Sequence, residues 1–195
     1  MTVKDMFHSI MDEVGQAIYQ YDQKEMEVAI SIIDSAKRIY VIGMGRSGYM
    51  MRAFAMRLMQ MGYDAFVVGD TETPGAGKGD VLFIGSTSGE TATLRCYAQA
   101  AKKVGAKLVV LTAHPDSTLG KASDAVIRIP VTEISYKQAD GMQVVRATDN
   151  QGQRALLGSC VEISMLICTD VLGMMLFSKN HYKEEDMMRR HANLE

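Results

Sequence analysis

Hydrophobic and polar positions alternate along this chain with two different periods, and the change of period marks its elements. Residues 5–21 and 24–37 carry apolar side chains at three- and four-residue spacing, which predicts two amphipathic helices. Arg38-Ile39-Tyr40-Val41-Ile42-Gly43 then reads as a β-branched strand stopped by glycine, and a helix follows from about Ser47 to Met61, closed by Gly62. Further strands are predicted at 65–69, 81–85, 107–112 and 125–129. Helices at 93–103 and about 118–122 fall between them, and a short polar helix at 183–190 ends the pattern. The strands are continuous apolar runs rather than alternating ones, which is the mark of strands buried on both faces. Alternation of such strands with helices predicts an α/β three-layer sandwich around a five-stranded parallel sheet. Segment 135–153 is polar and contains glycine, and reads as a loop. The helix expected at about 154–178 is apolar nearly all round, so one small domain does not bury it; this predicts contacts with further copies of the chain.

Two strand-to-helix turns stand out against this pattern. The first is Gly43-Met44-Gly45-Arg46-Ser47-Gly48, and the second is Ser86-Thr87-Ser88-Gly89-Glu90-Thr91. The first N–H groups of a helix lack internal partners and carry partial positive charge. Backbone N–H groups converging with Ser and Thr hydroxyls therefore form a neutral cradle for a phosphate dianion. The plainer alternative is an N-cap at Ser88 or Thr91, but one hydroxyl satisfies a cap and four lie within six positions here.

The first turn is also literally Gly-x-Gly-x-x-Gly after a strand, with Asp70 near the place of a ribose-binding acid, so a dinucleotide site is a competing reading. It leaves the serine-rich turn unused, and the chain has no length for a separate substrate domain. A flavodoxin-like strand order, 2-1-3-4-5, uses both turns, because the sheet reverses direction between strands one and three and ligands bind there at the carboxyl ends. Gly45, Arg46 and Ser47 would then face Ser86, Thr87, Ser88, Gly89 and Thr91 across one crevice, with Arg46 able to clamp phosphate or sugar oxygens. Asp70 and Glu72 fall at the mouth of that crevice.

Composition narrows the function classes. The chain has 195 residues, 47% of them hydrophobic, enough for one domain with a full core. Lys and Arg number 21 against 23 Asp and Glu, a net charge of −2, so no basic surplus points to nucleic acid or to an anionic membrane. The apolar stretches are expected to break before a bilayer span, and no signal peptide is expected at the N-terminus. Three cysteines, Cys96, Cys160 and Cys168, in helix-like patterns without metal-ligand spacing predict reduced thiols and a cytoplasmic protein.

The two turns, taken with Val109-Val110-Leu111-Thr112 and the terminal Arg190-His191-Ala192-Asn193-Leu194-Glu195, resemble the sugar isomerase (SIS) domain family over nearly the whole chain. Within it the C-terminal segment is similar to the 6-phospho-3-hexuloisomerases. That resemblance implies a single SIS domain over 1–195. It also implies interconversion of 3-hexulose 6-phosphate and fructose 6-phosphate without metal or nucleotide, in a homotetramer, as part of the ribulose monophosphate pathway. It places the catalytic base at Glu162, because Gly158-Ser159-Cys160-Val161-Glu162 matches the family's stretch opening the long helix. One departure is segment 136–154, longer and more polar than the family's connection.

Moving a carbonyl to a neighbouring carbon requires removal of an α proton and return of a proton to the next carbon, which one carboxylate can perform. Glu162 is the only acid between Leu156 and Ile167, and a carboxylate within an apolar stretch is costly unless paired or functional. The alternative is a glutamate on an exposed stripe of the helix. His191 could protonate or polarise a sugar oxygen, from a neighbouring subunit in view of its place near the chain end. A phosphosugar sensor using the same loops without catalysis is the other functional class left open.

Overall fold

The computed structural model describes residues 2–130, 134–139, 142–147 and 159–193. Two helices, α1 (Val3–Ile18) and α2 (Gln23–Asp34), precede the sheet. Thr2 and Asp5 close a reciprocal capping box at the start of α1, and Asp22 caps α2 by accepting from the N–H groups of Lys24 and Glu25. The sheet strands are β1 (Ile39–Gly43), β2 (Ala65–Val67), β3 (Val81–Gly85), β4 (Lys107–Thr112) and β5 (Ala125–Arg128). Between them lie α3 (Gly45–Met61), α4 (Ala92–Lys103) and α5 (Thr118–Ala122). All pairings are parallel and the order is β2-β1-β3-β4-β5, the order predicted.

The continuous apolar strands are buried on both sides because each side carries its own helical layer. Ile39, Val41, Phe83, Val109 and Leu111 point into a core completed by α2, α3 and by α6 (Ser159–Lys179). Their neighbours Tyr40, Ile42, Leu82, Ile84, Leu108 and Val110 point the other way, against α4 and α5. Phe54 of α3 meets Phe83 of β3 edge-to-face, with ring centroids 5.6 Å apart. The chain continues past α6 into α7 (Glu184–Arg189), which packs on α3.

Two expectations change. The described part of segment 135–153 is not a loop: β6 (Ile134–Ala139) and β7 (Met142–Ala147) form an antiparallel pair with Ala139 opposite Met142. Polar composition alone does not exclude strands, since a pair of strands with a solvated face carries polar side chains. The long helix is described from Ser159, and residues 154–158 lie outside the described residues. Nor do apolar stretches all break before a bilayer span: α6 is long and apolar enough to cross one by length and composition. Half of that span is buried inside the fold, and α6 packs on α1, α2 and α3 as a core helix does.

At the end of α6 an ion-pair network ties the last helices to the first. Asp34 accepts from Tyr63 Oη at 2.6 Å and Asn180 Nδ2 at 2.8 Å, and pairs with Lys179 Nζ at 2.9 Å. Burial pushes the Asp34 carboxyl up, but the bonds from Tyr63, Lys179 and Asn180 outweigh it and hold the group below its usual value. A depressed carboxyl pKa stabilises the fold above the unfolded value and loses that contribution as pH falls through the folded one. Asp34→Asn is therefore expected to cost about 2 kcal/mol at pH 7, where bonds to the charged group are lost. It should also flatten the fall in stability below about pH 4. Urea denaturation of both proteins between pH 3 and 7 checks this.

Candidate active site

Both unusual turns end at the same crevice because their strands, β1 and β3, are neighbours at the point where the strand order reverses. Gly43 pairs with Gly85 in register, so both chains leave the sheet at one level. In the first turn, a β-carbon at Gly43 would stand 2.9 Å from Gly48 N, and one at Gly48 would stand 2.7 Å from Gly43 O. Only two glycines let strand and helix approach so closely, and this approach turns Ser47 inward, where it is buried.

In the second turn, Ser86 Oγ accepts from Gly89 N and Ser88 Oγ accepts from Glu90 N. Both hydroxyls brace the loop as acceptors and keep their protons for another partner. Thr91 is the N-cap of α4 but its side chain makes no capping bond, and Ser88 lies three residues before it. The N-cap alternative for these hydroxyls thus accounts for none of them, and the first N–H groups of α4 are without a capping side chain.

Met44, Ser47, Gly85, Ser86, Thr87, Ser88, Thr91 and Leu94 together line a cavity of about 170 Å³. The lining has hydroxyls and helix N-termini and no charged side chain, the neutral cradle expected for a phosphate. Ser47 and Ser88 share this cavity, so the two turns meet as the reversed strand order requires. Gly45, at φ +58°, and Arg46 lie on the exposed rim, and Gly89 is buried beneath the loop.

The loop is held from behind by the segment after β4. Thr112 Oγ1 donates to Thr87 O, Ala113 N donates to the same carbonyl, and Leu119 N donates to Gly89 O. Glu90 accepts from Thr118 N at 2.6 Å and Thr118 Oγ1 at 2.7 Å, and Arg95 pairs with it at 3.4 Å. Burial raises the Glu90 carboxyl, yet the two bonds from Thr118 and the charges of Arg95 and Lys121 leave it below its ordinary value. Glu90 is thus a brace for the loop; it precedes the N-cap Thr91, and the first turn of α4 holds no acid.

Glu162 stands in the first turn of α6, favoured there by the helix dipole. Its side chain is only 12% exposed, and its Oε2 accepts from Arg46 Nε at 2.9 Å. Arg46, predicted as a clamp on phosphate or sugar oxygens, holds this carboxylate through Nε. The same contact brings α6 to the turn that supplies Ser47, 115 positions earlier in the chain, and no sequence spacing announces it.

Asp70, Glu72 and His191 are the remaining candidates. Asp70 is occupied by a bidentate pair with Arg52 of α3, at 2.7 and 3.0 Å, which fixes the start of the β2–β3 connection against α3. Glu72 accepts from Thr71 Oγ1. His191 is exposed and follows Arg190, whose guanidinium lies over Gly62 and donates to Gln60 O. These residues are at the C-terminal end of α3, whereas Arg46 and Ser47 are at its start. With 17 residues between the ends of that helix, His191 is roughly 25 Å from the crevice of its own chain.

A five-stranded sheet in this order, with hydroxyl-lined turns at its switch point, defines a phosphate-binding α/β domain. The SIS domain family model matches residues 32–148, and the chain belongs to that family. A 3-hexulose-6-phosphate isomerase of Bacillus subtilis is 34% identical over 200 residues, covering 100% of both chains. One from Mycobacterium gastri is 34% identical over 186 residues, covering 95% of this chain and 88% of its own. The crystal structure of MJ1247 from Methanococcus jannaschii, for which the function 3-hexulose-6-phosphate isomerase was inferred, superimposes with a TM-score of 0.78. It is 27% identical, over 95% of this chain and 98% of that one.

Proposed function

We propose that this chain is a phosphosugar isomerase that interconverts 3-hexulose 6-phosphate and fructose 6-phosphate through an enediol. The observation that carries the reading is a neutral, hydroxyl-lined cavity beside a glutamate held by an arginine. Full-length relatives named as 3-hexulose-6-phosphate isomerases support it. The cavity takes the phosphate, and Arg46, next to Ser47 in the chain, brings Glu162 to the carbonyl end of the sugar.

From fructose 6-phosphate, Glu162 takes the C3 hydrogen as a proton. The C–H electron pair becomes the C2=C3 bond, and charge builds on the C2 oxygen. Arg46 uses Nε for Glu162, so its two remaining nitrogens are available to that oxygen. Return of a proton to C2, with a proton gained at the C2 oxygen and lost from the C3 hydroxyl, completes the 3-ketose. An isomerase assay with 3-hexulose 6-phosphate tests the reading. In thermal shift, fructose 6-phosphate should stabilise the protein and NAD should not. Arg46→Gln is expected to lower kcat about 10- to 100-fold, since it removes charge stabilisation at the enediolate while leaving the cradle intact. Steady-state kinetics reads this as a kcat effect with KM little moved.

Assembly of several copies belongs to the same reading. Val3, Phe7 and Met11 form an exposed apolar stripe on α1, and Val171 and Met174 are exposed on the adjoining α6. Through such contacts His191 enters a neighbouring subunit's site, since it does not reach its own. Phe7→Glu combined with Met174→Glu is expected to convert the protein to a smaller species in light scattering behind size exclusion.

A further inference from the structure

Beneath the cavity, three elements meet at one glycine. Gly85 ends β3 and lines the cavity. A β-carbon there would stand 2.7 Å from the sulfur of Met51 and 2.9 Å from the sulfur of Met165. Both methionines are fully buried, so neither thioether has open space to move into. Met51 belongs to α3 and Met165 to α6. Met165 follows Glu162 by three residues, which puts the two side chains on one face of α6 with Glu162 nearer the helix start. Through Met165 the helix that carries Glu162 therefore meets the end of the strand that carries the phosphate loop, beside Met51 of α3.

The geometry points to the Gly85–Met165 contact as the spacer that selects which carbon of a bound ketose phosphate loses its proton; this rests on the isomerase reading above. With the phosphate anchored in the cradle, C3 and C1 flank the same carbonyl at different distances from the phosphorus. A carboxylate held at C3 takes that hydrogen as a proton, and the C–H pair forms the C2=C3 bond of a 2,3-enediol. A carboxylate held at C1 forms the 1,2-enediol, which leads to an aldose. The cradle serves any phosphosugar, so the choice lies in the separation between cradle and base. Proton transfer depends steeply on that separation: a misplacement of about 1 Å can cost on the order of 100-fold. Gly85 and Met165 are positioning residues that set it.

Deuterium exchange into fructose 6-phosphate in heavy water, resolved by carbon position with NMR, reads the selection directly. Calorimetry with inorganic phosphate reads the cradle alone. The native protein should exchange at C3. Gly85→Ala should lower C3 exchange about 10- to 100-fold relative to C1 exchange; Gly85 also lines the cavity, so phosphate affinity falls as well, by a smaller factor. Adding Met165→Val, whose side chain lacks δ atoms, should restore part of the C3 exchange. Met165→Leu alone, which keeps them, should stay within about 3-fold of native. Met165→Val in the native background also changes the C3:C1 ratio and serves if Gly85→Ala does not accumulate as folded protein. The spacer is overturned if C1 exchange, C3 exchange and phosphate affinity all fall by one common factor, or if Met165→Val leaves the ratio unchanged in folded protein. Native exchange at C1 alone refutes the ketose–ketose reading and leaves the spacer to be judged by the shift in ratio. Phosphate binding without exchange at either carbon refutes both.

Discussion

Replacing Glu162 by Gln is expected to lower turnover by about 1,000-fold or more while leaving phosphosugar binding nearly intact, since the side chain keeps its shape and loses only its capacity to take a proton. The phosphate cradle contains no atom of Glu162, so affinity for inorganic phosphate or fructose 6-phosphate should change little. Arg46 keeps an acceptor in the amide oxygen, and α6 keeps its contact with the first turn. The measurement is a pairing of steady-state turnover with calorimetric binding. Loss of binding in parallel with loss of turnover would place Glu162 in the cradle instead of at the reacting carbons. A phosphosugar sensor, the other functional class open to this sequence, has no native turnover for the substitution to remove.

The second large effect is expected at Gly89. Its φ of +64° is a left-handed conformation, and a β-carbon there would lie 1.9 Å from Ser117 Oγ and 2.5 Å from Ser117 Cβ. Neither contact can be relieved cheaply, because Ser117 is buried and its Oγ accepts from Gly120 N to start α5. Gly89→Ala should cost about 2–3 kcal/mol from the backbone conformation and the forced displacement together. The same displacement moves Ser88 and Thr91 out of the cradle, so phosphate affinity should fall by at least about 10-fold, the equivalent of losing one charge-assisted hydrogen bond. Urea unfolding and phosphate titration of one preparation read both effects. A protein that loses stability yet keeps native phosphate affinity would show that the loop does not depend on this glycine for its shape.

Glu90 illustrates how a loop residue beside a binding site takes its role from a distant segment. It precedes the N-cap Thr91, outside the first turn of α4, which holds no acid. That its carboxylate takes both the N–H and the hydroxyl of Thr118 follows only from β4 lying next to β3.

The apolar strand runs, the helix periods and the two glycine- and hydroxyl-rich turns specify by themselves an α/β sheet and a cradle for an anion, because those features depend on neighbours within a few residues. Polarity misdirects the reading within 135–153, where β6 and β7 stand in place of the loop expected. What the tertiary structure alone decides is who faces whom. Arg46 meets Glu162, Asp70 is taken by Arg52, and His191 is left at the far end of α3. The first and last depend on where α6 and α7 come to rest against α3, and the second on where the segment after β2 lies against it. That placement is a long-range packing choice, fixed by buried contacts such as Met165 on Gly85, and no local spacing in the chain encodes it.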